Sequence, residues 1–317
     1  MPSNAGAALF DRTPAEVSVY EVSPRDGLQN EDTVIPTEGK RRLVAALVDA
    51  GLRRIEGTSF VSPKWVPQLA DAEELMRALL PAPAGVTLSA LCPNARGLER
   101  ALACGVREVA VFLSASETHN KMNVNKTIDA TLGVFSEIVP PAREAGLAVR
   151  AYVSTVWGCP YEGDVDPKRA LAIAEKLLAL GCYQVSLGDT IGVGTPRQTR
   201  DIVARFLDAM PEARFALHLH DTRGTALANA LVGLEMGVTT FDASVGGVGG
   251  CPYAPGAAGN LATEDLVYML HGMGVATGVD LEKLVAAGNV AEQVIGRPLP
   301  GKVHKAGPFR LRRAPGA

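Results

Sequence analysis

The chain has 317 residues, 47% of them hydrophobic, and 31 basic against 34 acidic residues leave a net charge of −3. That length is enough for a large buried core, and the charge balance makes no electrostatic case for nucleic acid or an anionic membrane surface as partner. No stretch approaches the roughly 20 uninterrupted apolar residues that a membrane-spanning helix requires.

Short runs rich in β-branched residues recur along the chain, each followed by a polar or glycine-rich loop and then a helical pattern. In order, the predicted strands are 17–22 (VSVYEV), 53–58 (RRIEGT), 86–91 (VTLSAL), 108–114 (EVAVFLS), 147–155 (LAVRAYVST), 183–189 (YQVSLGD), 214–221 (RFALHLHD) and 239–245 (TTFDASV). Between them, stretches such as 37–51 and 166–181 place apolar residues at helical spacing and close on a glycine. Eight strands alternating with helices predict a TIM-type (β/α)8 barrel over residues 16–275. A tail precedes it at 1–15, and an appended helix at 279–296 lies within a C-terminal helical extension, 276–317. A doubly wound sheet is the alternative. It normally places a dinucleotide fingerprint after its first strand, and SPRDGLQNE at that point is not one; GGVGG at 246–250 lacks the spacing.

Barrel enzymes carry their chemistry on the loops that follow the strands, and the unusual polar residues fall there. Arg25 and Asp26 follow strand one, Asp189 and Thr190 follow strand six, and a glycine-rich loop with Cys251 and Asn260 follows strand eight. Strand seven ends in His-Leu-His, two of only five histidines in the chain. Side chains alternate along a strand, so His218 and His220 share one side and Leu217 and Leu219 the other. With the leucines against the outer helices, both imidazoles face the barrel mouth, an arrangement suited to a divalent cation. Two ligands do not complete a site. Asp26 offers a charged oxygen from strand one and Asn260 a neutral amide oxygen, although composition alone does not select these two from the other acids and amides.

The motifs EVSPRDGLQNE (21–31), EGTSFVSPKWVPQLADAEE (56–74), VSLGDTIGVGTP (185–196), HLHDTRGTALAN (218–229) and FDASVGGVGGCPYAPGAAGNLATED (241–265) together resemble the 3-hydroxy-3-methylglutaryl-CoA lyases. These are metal-dependent barrel lyases related to isopropylmalate and homocitrate synthases, and the resemblance runs from about residue 15 to 300. It implies cleavage of the acyl-CoA to acetyl-CoA and acetoacetate, with Asp26, His218, His220 and Asn260 binding Mg²⁺ or Mn²⁺. It further implies that Arg25 stabilises the enolate oxygen and that Cys251 transfers a proton, with Glu56 and Asp189 added to the catalytic set. Gln29, Tyr152, Ser154, Ser186 and Thr190, together with Arg25, would line the substrate. Read from the residues alone, Glu56 equally fits an ion pair with a neighbouring arginine, and Tyr152 equally fits the core.

The chemistry asks for such a set. Breaking the bond means removing the proton of a tertiary alcohol, a weak acid that a cation chelating hydroxyl and carboxylate makes stronger. The thioester becomes an enolate, for which a fixed guanidinium is a permanent donor, and a thiol of ordinary pKa, about 8.5, can return a proton to carbon.

The loop 114–128, after strand four, keeps SASE and N-x-N, but its middle, THNKM, departs from the best-known members. The acyl preference therefore stays open between the methyl substrate and a longer branched 3-hydroxyglutaryl-CoA such as an isohexenyl analogue. A condensing acyltransferase of the isopropylmalate-synthase type is a further alternative. The pathway, whether leucine breakdown, ketone-body formation or terpenoid catabolism, is left open. The five cysteines are odd in number and scattered, with no CxxC pair, and no basic-then-apolar leader or peroxisomal tripeptide is read, so a reduced cytoplasmic enzyme is expected. The resemblance suggests a homodimer or larger homo-oligomer.

Overall fold

The β-branched runs become strands β1 (Ser18–Glu21), β2 (Arg54–Ser59), β3 (Thr87–Leu91), β4 (Glu108–Ser114), β5 (Ala148–Ser154), β6 (Gln184–Asp189), β7 (Phe215–Leu219) and β8 (Thr240–Ala243). Each lies within two residues of its predicted bounds. They pair in chain order, all parallel, and β1 closes on β8. The computed structural model describes residues 12–250 and 259–309. The predicted barrel is therefore the observed one, and no helix among the described residues is long and apolar enough to cross a membrane.

The outer helices follow from local signals. The helix α1 (Thr37–Asp49) and the helix α2 (Pro167–Leu180) fall where periodicity places them. The start of α2 is fixed by the Asp166 side chain, which accepts from Lys168 N, with proline at its first position, and Gly181 closes it in the left-handed region. The appended helix, Leu281–Ile295, lies along α1. Its Leu284, Ala287 and Ala291 are buried, and Lys283 Nζ pairs with Asp49 Oδ1 at 3.1 Å.

One stretch differs from expectation. Residues 114–128, read as a loop, contain a helix over Glu117–Val124 that includes the atypical THNKM. Ser116 caps it by accepting from His119 N at 3.0 Å, and Asn125, in the left-handed region, ends it. A polar helix with no apolar stripe carries no periodic signal, so only its caps announce it.

The barrel interior is polar where many are aliphatic. Arg150 of β5 is fully buried and forms a bidentate pair with Asp242 of β8, and Tyr20, Ser89 and Glu108 share hydrogen bonds below it. Outward-facing residues make the hydrophobic layer with the helices. Leu217, between the two histidines and the strand's start, packs against the helix Ala226–Glu235 at Gly233, where a Cβ would collide with the leucine methyl. Leucine out and histidine in is the alternation that the sequence implied.

Candidate active site

At the C-terminal mouth the chain leaves β1 through a single π-type turn, Ser23–Gly27, in which the amides of Arg25, Asp26 and Gly27 all donate to the Val22 carbonyl. π-turns of this kind are frequent at functional sites, and this one turns Arg25 and Asp26 inward. Arg25 Nε donates to Glu56 Oε2, and Nη1 donates to Asp26 Oδ1 at 2.6 Å. Gln29 Nε2 donates to the same Asp26 oxygen at 2.8 Å. The guanidinium also lies over the Tyr152 ring, 5.2 Å from its centroid. Burial pushes Glu56 up from the usual carboxylate range even though Arg25 pulls it down, and its Oε1 is buried without a hydrogen-bond partner.

Asp26, His218 and His220 each present one ligand atom, all within 4.8 Å of one another. The two Nε2 atoms lie 3.2 Å apart, and Asp26 Oδ2 is 3.8 Å from His218 Nε2. Burial would raise the Asp26 carboxyl, but the Arg25 charge and the two imidazoles hold it down at about 2, so it is an anion at neutral pH. Burial, aided by His218, lowers His220 to about 4, so that ring is neutral and keeps a lone pair. Asn260 completes the group. Its Nδ2 donates to Asp26 Oδ2 at 2.9 Å and to the Val248 carbonyl at 3.0 Å, which leaves Oδ1 buried with no partner. Gly249, at φ +110°, leaves room for that amide; a Cβ there would run into Asn260 Nδ2. An anionic oxygen, two imidazoles and an orphaned amide oxygen fit a divalent cation with open positions better than a closed zinc site.

The other residues singled out in the sequence divide. Tyr152 comes to the site: its ring meets His218 edge-on at 6.1 Å, its hydroxyl is buried without a partner, and burial raises its pKa well above the usual value. Ser186 lies beneath, fully buried, and gives its proton to Asp242 Oδ2 at 2.6 Å. Ser154 donates to the Leu113 carbonyl, and Thr190 Oγ1 accepts from Thr155 N. Asp189 accepts from the amides of Val193 and Gly194 at 3.0 and 2.9 Å, bracing the loop after β6, and burial raises its pKa. Each of these four has a backbone or buried hydrogen-bond partner. Cys251 lies outside the described residues.

Two residues not singled out belong here. Asp242 Oδ2 stands 3.3 Å from His218 Nδ1, and Arg150 holds Asp242. Burial would raise Asp242, but the Arg150 charge takes it below the usual carboxylate range. The available signal was a lone Arg in LAVRAYVST and a lone Asp in TTFDASV, opposite charges inside strands otherwise buried.

A parallel eight-stranded barrel with a carboxylate, two imidazoles and an amide converging at its catalytic end defines a barrel enzyme built around a cation-type site. Its family can be named. The HMGL-like family model matches residues 16–291, and the chain belongs to that family. It is 52% identical over 293 residues to the mitochondrial hydroxymethylglutaryl-CoA lyase of Bos taurus, covering 92% of this chain and 90% of that protein. Among solved structures, the HMG-CoA lyase of Bacillus subtilis superposes with a TM-score of 0.91 at 49% identity, covering 93% and 98% of the two chains. An HMG-CoA lyase from Acinetobacter baumannii, solved with coenzyme A and 3-methylmalate, superposes at 0.90 with 38% identity, covering 95% and 98%.

Proposed function

We propose that the chain is a carbon–carbon lyase that splits 3-hydroxy-3-methylglutaryl-CoA into acetyl-CoA and acetoacetate. The observation that carries this reading is the convergence of Asp26, His218, His220 and the orphaned Asn260 oxygen beside Arg25. That cluster sits in a chain half identical to hydroxymethylglutaryl-CoA lyases over almost its whole length.

The reaction removes the proton of the tertiary hydroxyl and breaks the bond to the thioester α-carbon. The electron pair passes into the acetyl-CoA enolate, which is then protonated on carbon. Asp26, His218, His220 and Asn260 would hold Mg²⁺ or Mn²⁺, which when bound supplies Lewis acidity toward the hydroxyl and carboxylate of the substrate. Arg25 is anchored through Nε and Nη1, and Nη2 has no acceptor among the described residues. It is the donor assigned to the enolate oxygen, and a guanidinium fixed before reaction costs little reorganisation. Glu56 sets the plane of Arg25, and Gln29 shares the Asp26 oxygen. The unpartnered Tyr152 hydroxyl is assigned to a polar group of the acyl chain. On the resemblance, Asp189 is assigned to the catalytic set and Ser154, Ser186 and Thr190 to the substrate lining. Cys251 is assigned the proton delivered to carbon, on the resemblance of the loop that carries it. The four described cysteines are unpaired and buried, which supports a reducing compartment such as the cytoplasm.

Incubating the purified chain with 3-hydroxy-3-methylglutaryl-CoA tests the reading. Acetoacetate and acetyl-CoA are expected in equal amounts, with loss on EDTA treatment and recovery on adding Mg²⁺ or Mn²⁺. Cleavage that survives complete chelation would remove the cation from the account. A kcat/KM that favours the isohexenyl analogue over the methyl substrate would replace the acyl group named here.

A further inference from the structure

We infer that Asp242 is a positioning residue for the cation site: it fixes the tautomer and the ring plane of His218, so that Nε2 presents a lone pair to the mouth. The inference rests on the reading of His218 as a cation ligand. His218 and Asp242 are register partners on adjacent strands β7 and β8. Both are buried, so the interaction is set by the barrel's pairing rather than by a loop.

The carboxylate is held from four directions. Arg150 Nη2 donates to Oδ1 at 2.6 Å and Nη1 to Oδ2 at 3.1 Å, Ser186 Oγ donates to Oδ2 at 2.6 Å, and His218 Nδ1 stands 3.3 Å from Oδ2. Arg150 cannot shift in response. Its Nε donates to Gln184 Oε1 at 3.1 Å, and its guanidinium lies 4.1 Å from the Tyr20 ring centroid and 5.1 Å from that of Tyr152. A buried carboxylate paired bidentately with an arginine is an anion that only accepts hydrogen bonds. The imidazole nitrogen facing it must therefore carry the proton. With Nδ1 protonated, Nε2 of the neutral ring is the acceptor, and it is Nε2 that lies 3.2 Å from His220 Nε2 and 3.8 Å from Asp26 Oδ2. A histidine side chain free in water favours the opposite tautomer, with the proton on Nε2, so the protein has to impose this one through the hydrogen bond at Nδ1. A ligand histidine that donates its other N–H to a carboxylate is better oriented and more basic, and such partners typically change cation affinity about 10–100-fold.

Two measurements on the full-length chain test the inference. Long-range ¹⁵N–¹H correlation of the EDTA-stripped protein reads the tautomer of His218, assigned by the signal missing in His218→Asn. The expected spectrum shows a protonated Nδ1 and a bare Nε2, and a protonated Nε2 would overturn the inference without any change to Asp242. Titration with Mn²⁺, followed by the loss of free-ion electron paramagnetic resonance signal, compares the chain with Asp242→Asn. The variant keeps the size of the side chain and removes its charge, and it is expected to weaken Mn²⁺ binding about 10–100-fold. A folded Asp242→Asn that binds Mn²⁺ as tightly as the unaltered chain would also overturn the inference. Absence of Mn²⁺ binding in the unaltered chain is a different failure: it removes the cation reading, while the tautomer spectrum still reports on the hold of Asp242.

Discussion

Arg25 and the cation cluster share Asp26, Arg25 through Oδ1 and the cluster through Oδ2, but they are assigned different tasks, and substitutions should separate them. Replacing Arg25 with methionine keeps the buried stem volume and removes the donor. It is expected to lower kcat about 10²–10³-fold, the usual cost of one donor to a developing oxyanion, while Mn²⁺ still binds in equilibrium titration. His220→Ala behaves in the opposite order. Loss of a buried neutral imidazole from the four-residue set abolishes Mn²⁺ binding at concentrations that saturate the unaltered chain, and activity goes with it. If Arg25→Met lost the cation as well, the two tasks would not be separable. At this scale the sequence was informative where alternation or rarity marked a residue. His218 and His220 could be read because a strand puts i and i+2 on one side. Asp26 and Asn260 needed the resemblance, because neither an aspartate after a strand nor an asparagine in a glycine-rich loop is distinctive alone. Asp242 and Arg150 were passed over because each sits in a separate strand, and nothing local says that they meet across the barrel.

Elements set the precision of the site. The helix Ala226–Glu235 approaches β7 closely at Gly233 because no Cβ is present to meet Leu217. Gly233→Ala is expected to destabilise the fold by about 1–3 kcal/mol, the range for overpacking, read as a lower midpoint in thermal or urea unfolding. An unchanged midpoint would show that Leu217 has space to move. A second element-scale device lies where the helix Thr263–Gly272 begins. Glu264 accepts from the Gly246 amide at 2.7 Å, and burial, opposed by that bond, pushes its pKa up to about 8. Its folded pKa is above the unfolded value, so the stability it confers is fully present below pH 4–5 and declines as pH rises towards 8. Glu264→Gln mimics the protonated form at every pH. The thermal midpoint of the variant relative to the unaltered chain should therefore climb between pH 5 and 8 and then level off; a pH-independent difference would contradict the shift. Helices with an apolar stripe, such as α1 and α2, were legible from periodicity. The helix over Glu117–Val124 was not, because its register is set by Ser116 and Asn125 rather than by a buried face.

For the whole molecule, the closed barrel is a consequence of eight parallel strands in chain order, and closure brings the first strand beside the last. That adjacency unites Asp26 after β1, the histidines of β7, and Asn260 beyond β8, residues up to 234 positions apart in the chain. The order of elements could be read from the sequence, while the distances could not, since ligand separations depend on register and on the π-type turn after β1. The central claim is that these four side chains grip one divalent ion at the mouth. Anomalous diffraction from crystals of the chain grown with Mn²⁺, collected at the manganese edge, tests it most directly. The account predicts a single strong peak within about 2.0–2.4 Å of Asp26, both Nε2 atoms and Asn260 Oδ1. A saturated crystal with no peak there, or with manganese held elsewhere while turnover persists, would contradict it.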